Sequence, residues 1–146
     1  MIRTRLLPWG LLAVMGGCAS HGVDDSIDGP IDFRVTNDMA EYQTTMHIEL
    51  AGRATQTLPD GHIQTRLLDR ATIDDLRAKI ADAQFAALPA TIGCLGCADG
   101  NVYEVDVVLD GSLHAVAADQ FAPWPAPLKT VIDTLGGLAG VPPSKP

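Results

Sequence analysis

The sequence predicts a single α+β domain, with an antiparallel sheet of about five to six strands and two helices packed on one face. Three observations support this fold class. Short segments alternate apolar and polar residues, two longer segments carry apolar residues at helical spacing, and turn signals separate them. The order is about four strands, a helix, two strands and a second helix. An antiparallel sheet with both helices on one face fits that order.

Alternation predicts the strands in the first half of the domain. Met46, Ile48 and Leu50 fall on one face of a strand whose other positions are polar. Residues 51–52, an Ala-Gly pair, predict a tight hairpin turn after this strand, and the Pro-Asp-Gly sequence at 59–61 predicts a second turn. The predicted strands of this half are 31–35, 44–50, 53–57 and 62–67.

Two segments are predicted to be helices. Leu76 and Ile80 follow helical spacing, and Thr72 with Asp75 has the pattern of a capping box at the start of the first helix. Pro89 ends this segment. The second helix is predicted from an apolar stripe near the C-terminus. The stripe consists of Leu128, Val131, Ile132, Leu135 and Leu138.

A loop and a hairpin are predicted between the two helices. Residues 90–101 have no periodic pattern and are expected to form the loop. Residues 102–109 alternate most clearly of all segments in the chain. Asp110 and Gly111 follow them as a strong hairpin signal, which leads into a returning strand at 112–117.

The N-terminus has the pattern of an export signal. Arg3 and Arg5 precede an apolar run at 6–15, and Gly16-Gly17-Cys18 follows it. The run is shorter than the roughly 20 residues that span a bilayer, and the whole segment fits a secretory signal. The Gly-Gly-Cys end resembles the lipobox of bacterial lipoproteins. That resemblance implies cleavage before Cys18 and lipidation of its thiol, whereas the alternative is an ordinary secretory signal.

This interpretation divides the chain into four parts. They are a lipoprotein signal peptide at 1–17, a lipidated tether at 18–30, a single α+β domain at 31–140 and a disordered tail at 141–146. Two or more acyl chains make a stable membrane anchor. Ala19 and Ser20 follow the cysteine, so neither of the two positions after it is an Asp. In Gram-negative lipoproteins this pattern accompanies export to the outer membrane.

The charge balance restricts the partners. Loss of residues 1–17 removes two arginines and leaves 8 basic against 18 acidic residues, a formal net charge of −10. Binding to phosphate backbones needs a basic face, so this balance argues against nucleic acid as a partner. The same acidity disfavours attachment to anionic lipid by charge. We therefore expect the membrane to be reached through the N-terminal lipid.

Assigning Cys18 to lipid leaves Cys94 and Cys97. An even pair in an oxidising compartment indicates a disulfide. A redox pair is an alternative, but it requires the first cysteine at a helix N-terminus, and these residues lie in a predicted loop. A zinc site is another alternative. It normally needs four ligands, and neither a second CxxC nor a paired histidine completes such a set. The sequence thus predicts a disulfide, with no metal and no cofactor.

No constellation in the sequence is typical of catalysis. The histidines, His21, His47, His62 and His114, form no HExxH or His-x-His spacing. No serine lies in a GxSxG elbow, and neither a P-loop nor a dinucleotide fingerprint is present. The domain is therefore predicted to be non-enzymatic. Phe121 and Trp124 are candidates for a contact surface. The alternative is that they fasten the second hairpin to the second helix.

The body of the chain is similar in layout to a known family. The similarity runs from Ile31 to about Leu138 and is carried by the strand at 31–35, the helix at 72–83, the hairpin at 103–116 and the closing segment 127–135. In these segments the chain resembles the emfourin family, which are small proteinaceous inhibitors of protealysin-like, thermolysin-type metalloproteases. The chain departs from that family at 37–40, where Asn-Asp-Met-Ala replaces a Gly-Gly turn, and in its Cys94 and Cys97.

The predicted function combines these points. We expect a lipid-anchored protein of the cell envelope with a non-enzymatic protein-binding domain. The family resemblance implies, in its most specific form, an inhibitor of an envelope or secreted metalloprotease, although no functional residue carries over. A structural or stress-related envelope lipoprotein without a discrete ligand is the alternative.

Overall fold

A computed structural model describes residues 26–37, 42–95 and 100–142. This part of the chain has a mixed α+β fold, with a seven-stranded sheet and two helices. The strands are β1 (Ile27–Asn37), β2 (Tyr42–Ile48), β3 (Arg53–Thr57), β4 (Ile63–Leu67), β5 (Thr91–Ile92), β6 (Val102–Leu109) and β7 (Ser112–Asp119). The helices are α1 (Arg70–Asp82) and α2 (Ala126–Ala139), and a short 3-10 turn, Phe85–Ala87, follows α1. The predicted signal peptide at 1–17, Cys18, Cys97 and most of the predicted tail lie outside the described residues.

The strands are arranged in the order β4-β3-β2-β1-β6-β7-β5. All neighbours are antiparallel except β5, which runs parallel to β7 and pairs Thr91 with Ala117. The sheet has more strands than the five to six predicted, because β5 falls in the segment that the sequence predicts as a loop. A strand of two residues is too short for an alternating pattern, and it forms through its tertiary pairing with β7.

One face of the sheet is buried. Phe33 on β1 lies opposite Met46 on β2 and Val105 on β6, and Val105 lies opposite Val116 on β7. Paired residues of antiparallel strands point to the same face, so these side chains form one continuous layer. They belong to the same buried cluster as the inward residues of both helices. Those helix residues are Ile73, Leu76 and Ile80 of α1, and Leu128, Val131, Ile132 and Leu135 of α2.

Side-chain hydrogen bonds fix the helices over this face. The Gln56 Nε2 atom of β3 donates to the Ala139 carbonyl oxygen at the end of α2, at 2.7 Å. The Arg77 Nη2 atom of α1 donates to the Ile27 carbonyl oxygen of β1, at 3.0 Å. Because both helices pack on one face, the opposite face of the sheet has no helical layer within the described residues.

β1 begins at Ile27, whereas the sequence predicts a strand from Ile31. Ile27 is buried, and the β1–β6 register shifts between these two residues. The intervening Gly29 and Pro30 belong to the predicted flexible tether. Gly29 instead lets the backbone approach β6 closely, since a Cβ placed there would lie 2.6 Å from the Val108 Cβ.

The helix ends also differ from those predicted. α1 is capped by Asp69, whose side chain accepts a hydrogen bond from the Thr72 N–H at 2.7 Å, so Thr72 is not the cap. Hydrogen bonds from Thr72 lower the pKa of Asp69. α2 continues through its glycine pair to Ala139 and ends at Gly140, which has a φ of 68°. Val141, the first residue of the predicted tail, is buried in the core.

Candidate functional site

The helix-free face of the sheet, which we call the open face, carries a polar cluster at its centre. Register places Thr55, His47, Asp32 and Asp106 side by side across β3, β2, β1 and β6. A second row, two residues further along each strand, consists of Thr57, Thr45, Arg34 and Glu104. Together the two rows line a shallow concavity of about 220 Å³. The concavity lies over the central strands of the sheet.

Strand alternation places these side chains on the open face. On β1, buried Ile31, Phe33 and Val35 alternate with exposed Asp32 and Arg34. Successive side chains of a strand point to opposite faces, so burial of one set under the helices fixes the other set on the outside. The concavity is therefore built on rigid strands at the centre of the sheet.

Two cross-strand side-chain pairs organise the cluster. The His47 Nδ1 atom lies 2.7 Å from the Asp32 Oδ1 atom, and the Arg34 Nη1 atom lies 2.9 Å from the Glu104 Oε2 atom. All four side chains are about half exposed or somewhat less. Exposed ion pairs contribute roughly 0–1 kcal/mol, so their main effect is to orient the side chains.

Among the three carboxylates of the cluster, Asp106 has the least compensation of its negative charge. Burial raises its pKa above the ordinary value, and the neighbouring carboxylates of Glu104 and Asp32 raise it further, while Arg34 acts in the opposite direction. Three carboxylates thus face one arginine and one histidine. A positively charged group of a partner would relieve this repulsion, so the concavity is suited to a cation that enters from outside.

The His47–Asp32 pair lies beside threonine hydroxyl groups of the concavity. A histidine held by an aspartate is the arrangement of a general base and its orienting group. However, the hydroxyl groups that line the concavity belong to Thr45, Thr55 and Thr57, and no serine or cysteine lines it. The described residues also contain no group of three or more His, Cys, Asp or Glu side chains placed to hold a metal ion.

Of the residues that the sequence singles out for modification, only Cys94 is described. Cys94 is disulfide-bonded and lies just after β5. Cys97 and the predicted lipidation site Cys18 lie outside the described residues, so the pairing of Cys94 with Cys97 and the lipidation stay predictions.

The two aromatic candidates have different roles. The Trp124 Nε1–H donates to the Asp119 carbonyl oxygen at 2.7 Å, and the indole packs edge-on against Tyr103 with the ring centroids 5.2 Å apart. Trp124 thus fastens the end of β7 to the segment before α2. Phe121 is 67% exposed and remains available as a surface residue.

Sequence reasoning missed most of the concavity. It placed His47 at a polar strand position but had no reason to connect it with Asp32 or Asp106. Among the other histidines, His62 lies in the turn before β4. His114 is on β7 and lies opposite Val107 of β6. Alternation could have identified the outward set of each strand. The β1–β6 pairing that brings Asp32 beside Asp106 joins distant parts of the chain and has no local signal.

No known family model matches the chain. No curated protein matches it either. Within the described residues, neither helix has the length and apolar character required to cross a bilayer.

Proposed function

We propose that this chain is a lipid-anchored, non-enzymatic protein-binding module of the cell envelope, and that it binds its partner through the open face. The observation that carries the proposal is the charged concavity on the helix-free side of the sheet. Residues there are oriented by cross-strand pairs and remain solvent-accessible. Anchoring rests on the lipobox-like Gly-Gly-Cys18 sequence.

The charges of the concavity indicate the chemistry of the partner. Asp32, Glu104 and Asp106 outnumber Arg34, and the whole chain is acidic, with a formal net charge of −8. A protein that presents a lysine or arginine side chain would be steered to this face and would pair with Asp106. In the more specific form of the proposal, the partner is a thermolysin-type metalloprotease, because the layout resembles that of emfourins.

Site-specific crosslinking in cells tests the general proposal. A photo-crosslinking amino acid at Thr45, on the open face, should capture a partner protein. The same group at Asp82, an exposed position at the end of α1, is the matched control and should not capture that partner. Equal capture at both positions, or capture only at Asp82, would rule out the open face as the binding surface. No capture at either position would favour a structural lipoprotein without a discrete ligand.

Enzyme inhibition tests the specific form. Addition of the mature protein to several thermolysin-type metalloproteases should cause a slow loss of activity in at least one. Asp106→Asn combined with Glu104→Gln should weaken that inhibition at least about tenfold, the equivalent of one charge-assisted contact. Full protease activity at micromolar excess of the protein would exclude inhibition and leave the general binding proposal to be decided by the crosslinking.

A further inference from the structure

β4 is an edge strand with two large apolar side chains in solvent. Every residue of β4 is exposed, and Ile63 and Leu67 are 68% and 82% exposed. β3 is its neighbour on one side, and no described strand pairs with its other side. Exposed apolar edge strands attract further strands, and natural proteins usually protect them with lysines, prolines or bulges. β4 has neither a lysine nor a proline.

The hydrogen-bond pattern shows which backbone groups of β4 point outward. The Leu58 N–H donates to the His62 carbonyl oxygen at 2.9 Å, and the Leu68 N–H donates to the Gly52 carbonyl oxygen at 2.8 Å. In an antiparallel pair, hydrogen-bonded and non-hydrogen-bonded positions alternate. Even-numbered residues of β4 therefore bond to β3. The odd-numbered ones, Ile63, Thr65 and Leu67, direct their N–H and C=O groups to the free edge.

The same three residues place their side chains on the open face. Thr65 pairs with Thr55, which lines the open-face concavity, and Ile63 and Leu67 are two positions away on either side. Side chains two residues apart share a face. The free hydrogen-bonding groups and the exposed apolar side chains thus belong to one short segment.

We propose that a second copy of this chain pairs with β4 in antiparallel fashion, about a two-fold axis at Thr65. In that register Thr65 lies opposite Thr65 of the second copy, and each Ile63 lies opposite a Leu67. Each of the three outward residues then forms two backbone hydrogen bonds with the residue opposite it, one through its N–H and one through its C=O. The three pairs give about six interchain hydrogen bonds. The four exposed apolar side chains meet on one face. Such a self-complementary patch is the requirement for a two-fold dimer.

The charges on and around β4 are compatible with this occupant. Asp60 lies just before β4 and Arg70 just after it. The Arg70 side chain is 93% exposed and its Nε atom lies 3.6 Å from the Asp74 Oδ2 atom of the same chain. Two-fold antiparallel pairing brings the Asp60 end of one copy beside the Arg70 end of the other. Within β4 the charged side chain is that of Arg66, which lies opposite Gln64 of the second copy. Arg66 is turned toward α2, where it donates to the Leu138 carbonyl oxygen. Within β4 the register therefore opposes no like charges.

The interface is small, so the dimer should be weak in solution. A five-residue strand buries far less than the roughly 1,600 Å² of a typical stable complex. Covalent trapping is therefore the suitable test. The Cα atoms of two residues in a hydrogen-bonded antiparallel pair lie about 5.5 Å apart, which is within the range of a disulfide. A cysteine at position 65 should form a disulfide with the cysteine at position 65 of the second copy.

The test uses the full chain in membranes, mildly oxidised and extracted in detergent. Thr65→Cys should give a disulfide-linked dimer on a non-reducing gel. Thr55→Cys is the matched control, because it has the same residue type on the same face but lies one strand inward. Two such cysteines would be roughly 14 Å apart, three interstrand spacings, and should not link. Adding Leu67→Lys to Thr65→Cys should reduce the dimer at least about tenfold.

The outcomes separate this proposal from other arrangements. A dimer from Thr65→Cys that is absent in Thr55→Cys and lost with Leu67→Lys supports edge pairing. Equal dimer from both cysteines would indicate contact between open faces and overturn it. No dimer from Thr65→Cys, or a bridge to a different protein instead, would also overturn it. The proposal does not depend on the partner-binding function of the open face.

Discussion

Replacement of Asp106 by asparagine should stabilise the free domain near neutral pH and weaken its binding to a partner. Burial and the adjacent carboxylates of Glu104 and Asp32 raise the pKa of Asp106. The ionised side chain is thus held in an unfavourable field in the folded state. An asparagine at this position would keep the size and polarity of the side chain without the charge, so it should relieve the repulsion in the folded domain.

The sign of the pH dependence follows from the raised pKa. The folded domain binds the Asp106 proton more tightly than the unfolded chain does. In the unfolded chain the pKa of Asp106 has its ordinary value of 3.8. Stability is therefore lost as the pH rises from 3.8 through the raised pKa, and the loss is constant above it. The advantage of Asp106→Asn should be close to zero well below 3.8 and should reach its full size near neutral pH.

The size of the effect is limited by solvent. One pKa unit corresponds to about 1.36 kcal/mol, but Asp106 is partly exposed and its neighbours are screened by water. We expect a gain of roughly 0.3–1 kcal/mol in the free energy of unfolding. For a domain of this size that is a rise of about 1–5 °C in Tm.

Thermal unfolding followed by circular dichroism, near pH 3 and near pH 7, measures this gain. Glu49→Gln is the matched control. It also removes one negative charge, but Glu49 lies in the turn between β2 and β3 and does not line the concavity. A lower Tm for Asp106→Asn than for the unaltered protein near pH 7, or an equal gain from Glu49→Gln, would refute the electrostatic reasoning. Unchanged partner binding would refute the role of Asp106 in the open face.

Three further predictions concern other parts of the chain. Cys18→Ser should abolish palmitate labelling and membrane retention, and labelling that persists would contradict the lipobox assignment. Protein purified from the envelope should show no reactive thiol at Cys94 or Cys97 in a thiol assay, whereas two reactive groups would exclude their pairing. Trp124→Phe should lower the free energy of unfolding in urea by about 1 kcal/mol, through loss of the hydrogen bond to Asp119; an unchanged midpoint would show that this bond is not stabilising.

Most strands could be predicted because burial on one face imposes a two-residue period. Ile31, Phe33 and Val35 show it on β1, and residues 102–109 show it on β6. The pattern failed where a different constraint acted. The residues around Gly29 have the composition of a flexible segment. The close approach of Val108, from a distant part of the chain, nevertheless requires a glycine at this position. Thr91–Ile92 has too few residues for any period.

The candidate site was less predictable than the fold for a related reason. Alternation identifies Asp32, His47 and Asp106 as outward residues, each within its own strand. It does not say which strands are neighbours. The hairpin that joins β6 to β7 has a strong Asp-Gly signal, whereas the pairing of β1 with β6 has none. The raised pKa of Asp106 depends on that non-local pairing, so the sequence alone could not have indicated it.

The open face and the edge of β4 call for different occupants because their chemistry differs. The centre of the open face is charged, with Asp106 short of a positive partner, and favours a basic group from another protein. The free edge carries Ile63 and Leu67 in a register that complements itself. The opposite edge, β5, has two residues and offers too few backbone groups for stable pairing. A second copy at β4 would therefore leave the concavity open, and dimerisation and partner binding can occur together.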